Sequence, residues 1–317
     1  INKYHVTQER LVHTSKLEAK LDYYYLLNDT SNINLSLGVT DVKQDFDSSF
    51  FQILDNGSLL NFNDPTFNND VNFDFSDAYI ALNYRLRTGI FTIDPGLTLH
   101  YYKTKNTQLG TSFNRNISDV RPNLRINLQF KKSESLRLTY RKNTQFTDIN
   151  NLAEGFVFNN YNSIFQGNRE LEAAVVNNYN LNYRSINQFT FTNIFANANY
   201  SKRSNSIQSR ANINGIDAIR TSTNSNFPRE TYSLSGRIDK RFKNFKLNFS
   251  TRFNYSDFTN EVNNQIRNSK SLNQNYSASI ETNFRDKPNF EIGYKYNIND
   301  YNNGGIENQF ITESPFA

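Results

Sequence analysis

The chain has 317 residues, 37% hydrophobic and 15% aromatic, with a net charge of +5 and a mean hydropathy of −0.71. Cysteine is absent, which excludes disulfides, thiol nucleophiles and cysteine metal sites, and the lack of any run of about 18 apolar residues excludes helical membrane spans. The 27 Phe and 19 Tyr argue against disorder, since disordered chains are poor in aromatics, and Lys and Arg are scattered rather than clustered, so nucleic acid is not an expected partner.

Apolar residues recur at every second position in segment after segment, which marks strands with one apolar and one polar face. The first predicted strand runs from about His13 to Leu27, with Leu17, Ala19, Leu21, Tyr23 and Tyr25 in phase. It turns at Asn28–Ser31 and returns through Ile33, Leu35, Leu37 and Val39. The stretch Gln44–Asn72 reads as a long loop, with a short helix near Ser49–Leu54. A third strand over Asp77–Leu86 turns at Arg87–Gly89 into a fourth through Phe91, Ile93, Leu97, Leu99 and Tyr101. Asp94-Pro95-Gly96 lies inside that strand; proline cannot donate to a ladder, so a bulge is expected there. A loop over Lys103–Asn116 follows.

The alternation is sharpest from Asp119 to Tyr183. Val120, Pro122, Leu124, Ile126, Leu128 and Phe130 share one face, a turn spans Lys131–Glu134, and the chain returns through Leu136, Leu138 and Tyr140. A loop without period covers Asn143–Glu172, and another strand carries Tyr179, Leu181 and Tyr183. The next strand, Gln188–Tyr200, has two phases: Phe189 and Phe191 fit one face, Ile194, Ala196, Ala198 and Tyr200 the other. Either a bulge lies between them or one set faces inward. Weak alternation around Asn214-Gly215 predicts that Lys202–Pro228 projects as a β-ribbon. Four more strands follow, Tyr232–Phe242, Leu247–Tyr255, Tyr276–Phe284 and Phe290–Ile298, with a loop over Asn260–Asn273 and a polar tail to Ala317.

Twelve strands joined by alternating short and long connections point to an all-β fold, an antiparallel transmembrane β-barrel with periplasmic turns and outer loops. Several strands exceed the roughly 9–11 residues that cross a bilayer when tilted, so they are expected to rise above it as a wall. Tyrosines near strand ends, among them Tyr101, Tyr140, Tyr183, Tyr200, Tyr255 and Tyr294, read as interfacial girdles; plain β-propensity is the competing reading.

The central unit resembles the barrel of TonB-dependent outer-membrane receptors of the Bacteroidetes type. The resemblance rests on Arg121-Pro122-Asn123-Leu124, on Leu136-Arg137-Leu138-Thr139-Tyr140-Arg141-Lys142, on Gly167-Asn168-Arg169-Glu170-Leu171-Glu172, and on Asn178–Tyr183 after it. Arg169 stands where the family pattern has proline, and Glu172-Ala173-Ala174 replaces Lys-Pro-Glu. The resemblance implies a 22-stranded barrel of which residues 1–317 supply about twelve strands, with the plug domain and the last strands outside this chain. It also implies outer-membrane lipids, the plug, the remaining strands and, through the plug, the TonB complex as partners. A surface lipoprotein stays open as a further one.

No catalytic, metal or cofactor constellation emerges. His5, His13 and His100 are far apart, without a second ligand at metal spacing. There is no Gly-rich phosphate loop and no Gly-x-Ser-x-Gly elbow. The candidate ligand-binding residues are Phe156, Phe158, Tyr161, Phe165 and Arg169 in the long loop, which offer stacking faces and hydrogen-bond donors to a siderophore, glycan or peptide. The competing reading is that these aromatics form the loop's own core. The expected function is import by a receptor barrel that does no chemistry. The alternative is a self-contained twelve-stranded passive pore.

Overall fold

The computed structural model describes residues 5–62, 64–160, 162–215, 217–285 and 287–317. The strands are β1 (His5–Asn28), β2 (Ser31–Ile53), β3 (Leu59–Asn61), β4 (Asn69–Thr88), β5 (Phe91–Gln108) and β6 (Thr111–Lys131). Next come β7 (Glu134–Gln145), β8 (Phe156–Asn160), β9 (Ser163–Gln166), β10 (Ala174–Asn187), β11 (Thr192–Ser204) and β12 (Ile207–Asn214). The last are β13 (Asp217–Asn224), β14 (Arg229–Phe242), β15 (Phe245–Val262), β16 (Gln265–Thr282), β17 (Glu291–Asn303) and β18 (Ile306–Phe316). Short 3-10 turns at Pro65–Phe67 and Ile149–Asn151 are the only helical pieces among the described residues.

Thirteen long strands pair antiparallel in one continuous sheet, in the order β1, β2, β4, β5, β6, β7, β10, β11, β14, β15, β16, β17, β18. The expected count of twelve is corrected by β18. Its polar sequence hides a strand that pairs with β17 from Ile306 to Phe316. Among the described residues β1 and β18 each pair on one side only.

The register aligns the alternating residues into rows across strands. Leu21 faces Leu37, Leu37 faces Ile80, Ile80 faces Leu99 and Leu99 faces Val120. Further round, Ile126 faces Leu138, then Leu181, Ala198, Leu234 and Phe253 follow in turn. These side chains stand open on the surface; Leu21 is 66% exposed and Leu234 52%. A contiguous apolar band of this extent is incompatible with water and fits a hydrocarbon layer. On β5 it runs from Phe91 to Tyr101, which is about 33 Å of strand and, at a tilt of about 40°, about 25 Å of bilayer.

Tyr140, Tyr179, Tyr200, Tyr232 and Tyr255 close the upper rim of this band as one row, their ring centroids 4.8, 5.8, 4.7 and 6.1 Å apart. The hydroxyls reach toward the polar row above. Tyr140 donates to Asn177 at 3.0 Å and Tyr232 to Glu230 at 2.9 Å. A ring in hydrocarbon with its hydroxyl in a polar layer is the physical basis of an interfacial girdle. Tyr179 and Tyr232 belong to the row although the sequence reading placed them only in strands.

Above the band the same face turns polar while the backbone stays paired. Leu35, Leu37 and Val39 are continued by Asp41, Lys43, Asp45 and Asp47 on β2. This explains why much of the expected loop Gln44–Asn72 is strand: β2 reaches Ile53, β4 starts at Asn69, and Ser49–Ile53 is extended rather than helical. The expected loops Lys103–Asn116 and Asn260–Asn273 are likewise two-residue hairpin turns. Leu109-Gly110 and Asn263-Asn264 adopt positive φ, as tight hairpins require.

The bulge expected at Asp94-Pro95-Gly96 is absent. The β5 ladder runs in unbroken register past Pro95, which faces Leu124. On its other side, pairing with β4 skips from Asn83–Gly96 to Leu86–Ile93 without a shift, so the missing N–H is tolerated locally. In the wall the register shifts lie instead at Leu26/Asn28 and Gln129/Lys131, beside turns, and a third lies between β8 and β9 at Phe158/Asn160. The double phase of Gln188–Tyr200 dissolves because Phe189 and Phe191 sit in the turn before β11. The Asn214-Gly215 ribbon forms, β12 pairing with β13 from Ile207–Asn224 to Asn214–Asp217, but instead of projecting freely it pairs sideways with β9 and with the end of β15. Ile216 in that turn and Asp286 in the last short turn lie outside the described residues.

Replacing Leu97 by Arg, at the centre of the apolar band, is expected to cost about 2–4 kcal/mol of folding stability in bilayers, against well under about 1 kcal/mol for Thr98→Arg on the other face; denaturant titration in liposomes measures both. Asp47 faces Asp70 across β2 and β4. Its carboxyl is held above the ordinary range by burial, then by Asp70 and Asp45. A raised folded pKa makes the ionised form destabilising, so stability rises as pH falls toward that pKa. Asp47→Asn is therefore expected to add a few tenths to about 1 kcal/mol at pH 7, an advantage that shrinks in acid as wild-type Asp47 takes up its proton.

Candidate functional site

The segment between β7 and β10 folds back on the extended wall. Asp148 starts it, accepting a hydrogen bond from the Asn150 amide at 2.9 Å and capping the 3-10 turn at Ile149–Asn151. Ile149, Leu152, Ala153, Val157 and Leu171 then pack against Phe46, Val71 and Phe73 of β2 and β4 in one buried cluster. Phe46 and Ile149 are each 1% exposed. This cluster lies at the outer end of the wall, beyond the apolar band.

Three wall amides read the loop backbone. Gln108 donates to the Leu152 carbonyl at 2.8 Å and accepts from the Glu154 amide at 3.0 Å. Asn69 accepts from the Gly155 amide at 2.8 Å. Gln8 accepts from the Phe158 amide at 3.0 Å and donates to the Phe156 carbonyl at 3.2 Å. A side-chain amide offers a donor and an acceptor side by side, so it substitutes for a neighbouring strand where none is present. Arg115 adds 3.1 and 3.2 Å bonds to the Leu171 and Glu170 carbonyls.

The β12–β13 ribbon completes the cap. β13 runs parallel to β9 from Ala218–Ser163 to Thr221–Gln166, while β12 pairs with the top of β15 at Arg210–Glu261 and Ala211–Val262. Arg210 binds Glu261 at 2.9 Å. Asn224 accepts from the Glu172 amide at 2.8 Å and donates to its carbonyl at 2.9 Å, tying ribbon to loop.

Phe156 contacts the Phe67 ring at 5.9 Å and Phe158 the Phe50 ring at 4.8 Å. Phe165 packs against the buried cluster. Arg169 binds Glu154 at 2.5 Å, Thr111 at 2.6 Å and the Gln108 carbonyl at 3.3 Å. Tyr161 lies outside the described residues. The structure thus gathers Phe156, Phe158, Phe165 and Arg169 into one folded unit and engages each of them with the protein itself.

Open space lies beside them. Between loop and ribbon is a cleft of about 460 Å³, lined among others by Glu154, Gln166, Asn168, Arg210, Thr221 and Thr223. Asn168 belongs to the motif that carries the family resemblance, and Glu154 reads from sequence as a solvated loop carboxylate; sequence reading missed Gln166, Arg210, Thr221 and Thr223, and also Gln8, Asn69 and Gln108. The available signal was an amide on the inward phase of a strand extension, visible only once the extension is recognised.

Gly155 and Gly167 are fixed by close approach. A Cβ on Gly167 would lie 2.4 Å from the Ala153 carbonyl oxygen, and one on Gly155 2.4 Å from that of Asn68. Gly167→Ala is expected to release the cap while sparing the barrel. Limited proteolysis should cut within 146–173 at least about tenfold faster, a shift of about 1.4 kcal/mol in the opening equilibrium, with unchanged far-ultraviolet circular dichroism.

No curated protein sequence matches the chain. Among solved structures it is similar to the hemophore receptor HasR of Serratia marcescens, with TM-score 0.58 and 12% identity over 93% of this chain and 56% of that one. It is also similar to the copper transporter OprC, with TM-score 0.56 and 11% identity over 94% and 52%. The iron transporter FrpB of Neisseria meningitidis gives TM-score 0.52 and 10% identity over 96% and 52%. The chain spans about half the length of these structures. At such identities the likeness concerns the fold, a large outer-membrane β-barrel. A model of the outer membrane protein beta-barrel family matches residues 2–315, and the chain belongs to that family, in the outer membrane of a Gram-negative cell.

Proposed function

We propose that the chain is the wall and outer cap of a ligand-importing receptor of the TonB-dependent type. The observation that carries the reading is the cap itself: a loop and a ribbon folded against the outer extension of a membrane wall, with a polar cleft between them. A passive pore has no need for a folded platform held by three wall amides and an arginine. The loop bearing Phe156, Phe158, Tyr161, Phe165 and Arg169 is the ligand-contacting element in this reading. Phe156, Phe158, Phe165 and Arg169 fix its shape from behind, and the cleft at Glu154, Asn168 and Arg210 faces the ligand.

The polar groups of that cleft suit a siderophore, glycan or peptide, each of which offers several donors and acceptors. The wall performs no chemistry. A plug would close the lumen and rearrange when pulled by the TonB complex, further strands of the same protein would pair with β1 and β18, and a surface lipoprotein would be an added partner. An unpaired edge cannot face lipid, so those two edges require partners.

Uptake by cells with and without the protein separates this reading from the passive pore. With haem, ferric siderophores, oligosaccharides and peptides as probes, saturable accumulation of one class that a protonophore abolishes is expected. Non-saturable flux of several classes, indifferent to the protonophore, would contradict it. Deleting residues 147–172 is expected to abolish the saturable uptake while leaving the barrel in the membrane.

A further inference from the structure

The polar face of the sheet is not uniform in charge. On β1 to β6, Lys16 sits on Glu18 at 2.6 Å, Lys20 on Asp22 at 3.0 Å, Arg85 on Asp94 at 2.7 Å and Arg121 on Asp119 at 3.0 Å. From β7 to β17 the same face encloses a concavity of about 870 Å³, and none of the residues lining it is Asp or Glu.

Four arginines dominate this second half, in two pairs. Arg137 faces Asn182 and Arg184 faces Ser135, so the two are diagonal neighbours on β7 and β10. Arg237 faces Ser250 and Arg252 faces Ser235, which repeats the arrangement on β14 and β15. Diagonal neighbours stand about 7–8 Å apart, within reach of a shared anion for side chains as long as arginine. Among the described residues Arg137, Arg184 and Arg252 have no carboxylate partner. Arg237 gives its Nε to Asp239 at 2.9 Å and keeps its two terminal nitrogens.

Between the pairs lies β11, which presents Phe195, 37% exposed, beside Asn197. At about 4.8 Å per strand the centres of the two pairs are roughly 14 Å apart. The wall thus offers guanidinium pair, aromatic and amide, guanidinium pair. Guanidinium groups match carboxylate and phosphate geometry, and the nitrogens here that no carboxylate takes up, including both terminal nitrogens of Arg237, are free to draw in an anion.

We propose that this half of the inner wall binds an anionic solute carrying at least two carboxylate or phosphate groups, one on each arginine pair, with its body over Phe195 and Asn197. The proposal rests on the transport reading, since it places the solute's path along β7 to β17 rather than along the charge-paired half.

The test is calorimetric titration of the purified full chain in non-ionic detergent with pentaglutamate, whose first and fifth carboxylates span roughly 14 Å when extended. Saturable binding is expected, weakening several-fold between 50 and 200 mM salt, with no binding of pentaglutamine. The double variant Arg184→Gln with Arg252→Gln should bind at least tenfold more weakly. Arg184→Lys with Arg252→Lys keeps the charges and should retain part of the affinity. Lys246→Gln, whose partner is Glu281 outside the concavity, should bind as wild type. No binding to the wild type, or equal binding by the glutamine double variant, would overturn the proposal. Binding is read without uptake, so its failure leaves the protonophore experiment standing on its own.

Discussion

Everything in this structure depends on the pairing of backbone N–H and C=O groups between neighbouring strands. A bilayer offers no water to an unpaired amide, so a chain crossing it as strands must satisfy each group across a ladder. That constraint explains why the thirteen long strands stay paired in one continuous sheet, with register shifts in the wall only beside turns. It explains why Pro95 is absorbed by a short skip in one ladder rather than by a bulge. It also frees the side chains to be sorted by face alone. Across the apolar band the rows of Leu, Ile and Val stand on one side, and Arg, Asn, Asp and Ser stand mostly on the other.

Above the bilayer the constraint relaxes, and the molecule uses the freedom. The wall continues as paired strands with polar outer faces, from Asp41 to Asp47 on β2 and from Lys103 upward on β5. Its inner side chains then organise a segment that has little ladder of its own. Gln8, Asn69 and Gln108 take the place of missing strand neighbours, and Phe46, Val71 and Phe73 supply the apolar floor. The cap therefore draws its shape from the wall. The abundance of Asn, about one residue in six, has a structural use here beyond turns.

The apolar rows were legible because membrane-facing positions must be apolar while most inward ones are polar. Leu35, Leu37 and Val39, or Leu124, Ile126 and Leu128, announce their strand by period alone. The extensions were not legible because the outer phase loses its apolar residues there: Asp41, Lys43, Asp45 and Asp47 continue the face of Leu35, Leu37 and Val39 while Val42 and Phe46 turn inward, and the stretch reads as loop. β18 was hidden for the same reason. Asn214-Gly215 was readable because its turn chemistry is local, whereas Asn263-Asn264 gave no equal signal. Of the loop, the sequence identified the segment but not its contacts. Phe156, Phe158, Phe165 and Arg169 come together as a unit, yet their partners Phe67, Phe50, Glu154 and Gln108 lie on other elements, which no local pattern could reveal.

The central claim is that one face of this sheet lies in hydrocarbon and the other does not. Because the chain lacks cysteine, single cysteines carrying a nitroxide can be placed one at a time along β10 from Asn178 to Tyr183 in the protein reconstituted in liposomes. The account predicts that labels at 179, 181 and 183 collide with oxygen and are shielded from a water-soluble nickel chelate, while labels at 178, 180 and 182 show the reverse. Equal access of the nickel chelate to both sets would contradict it.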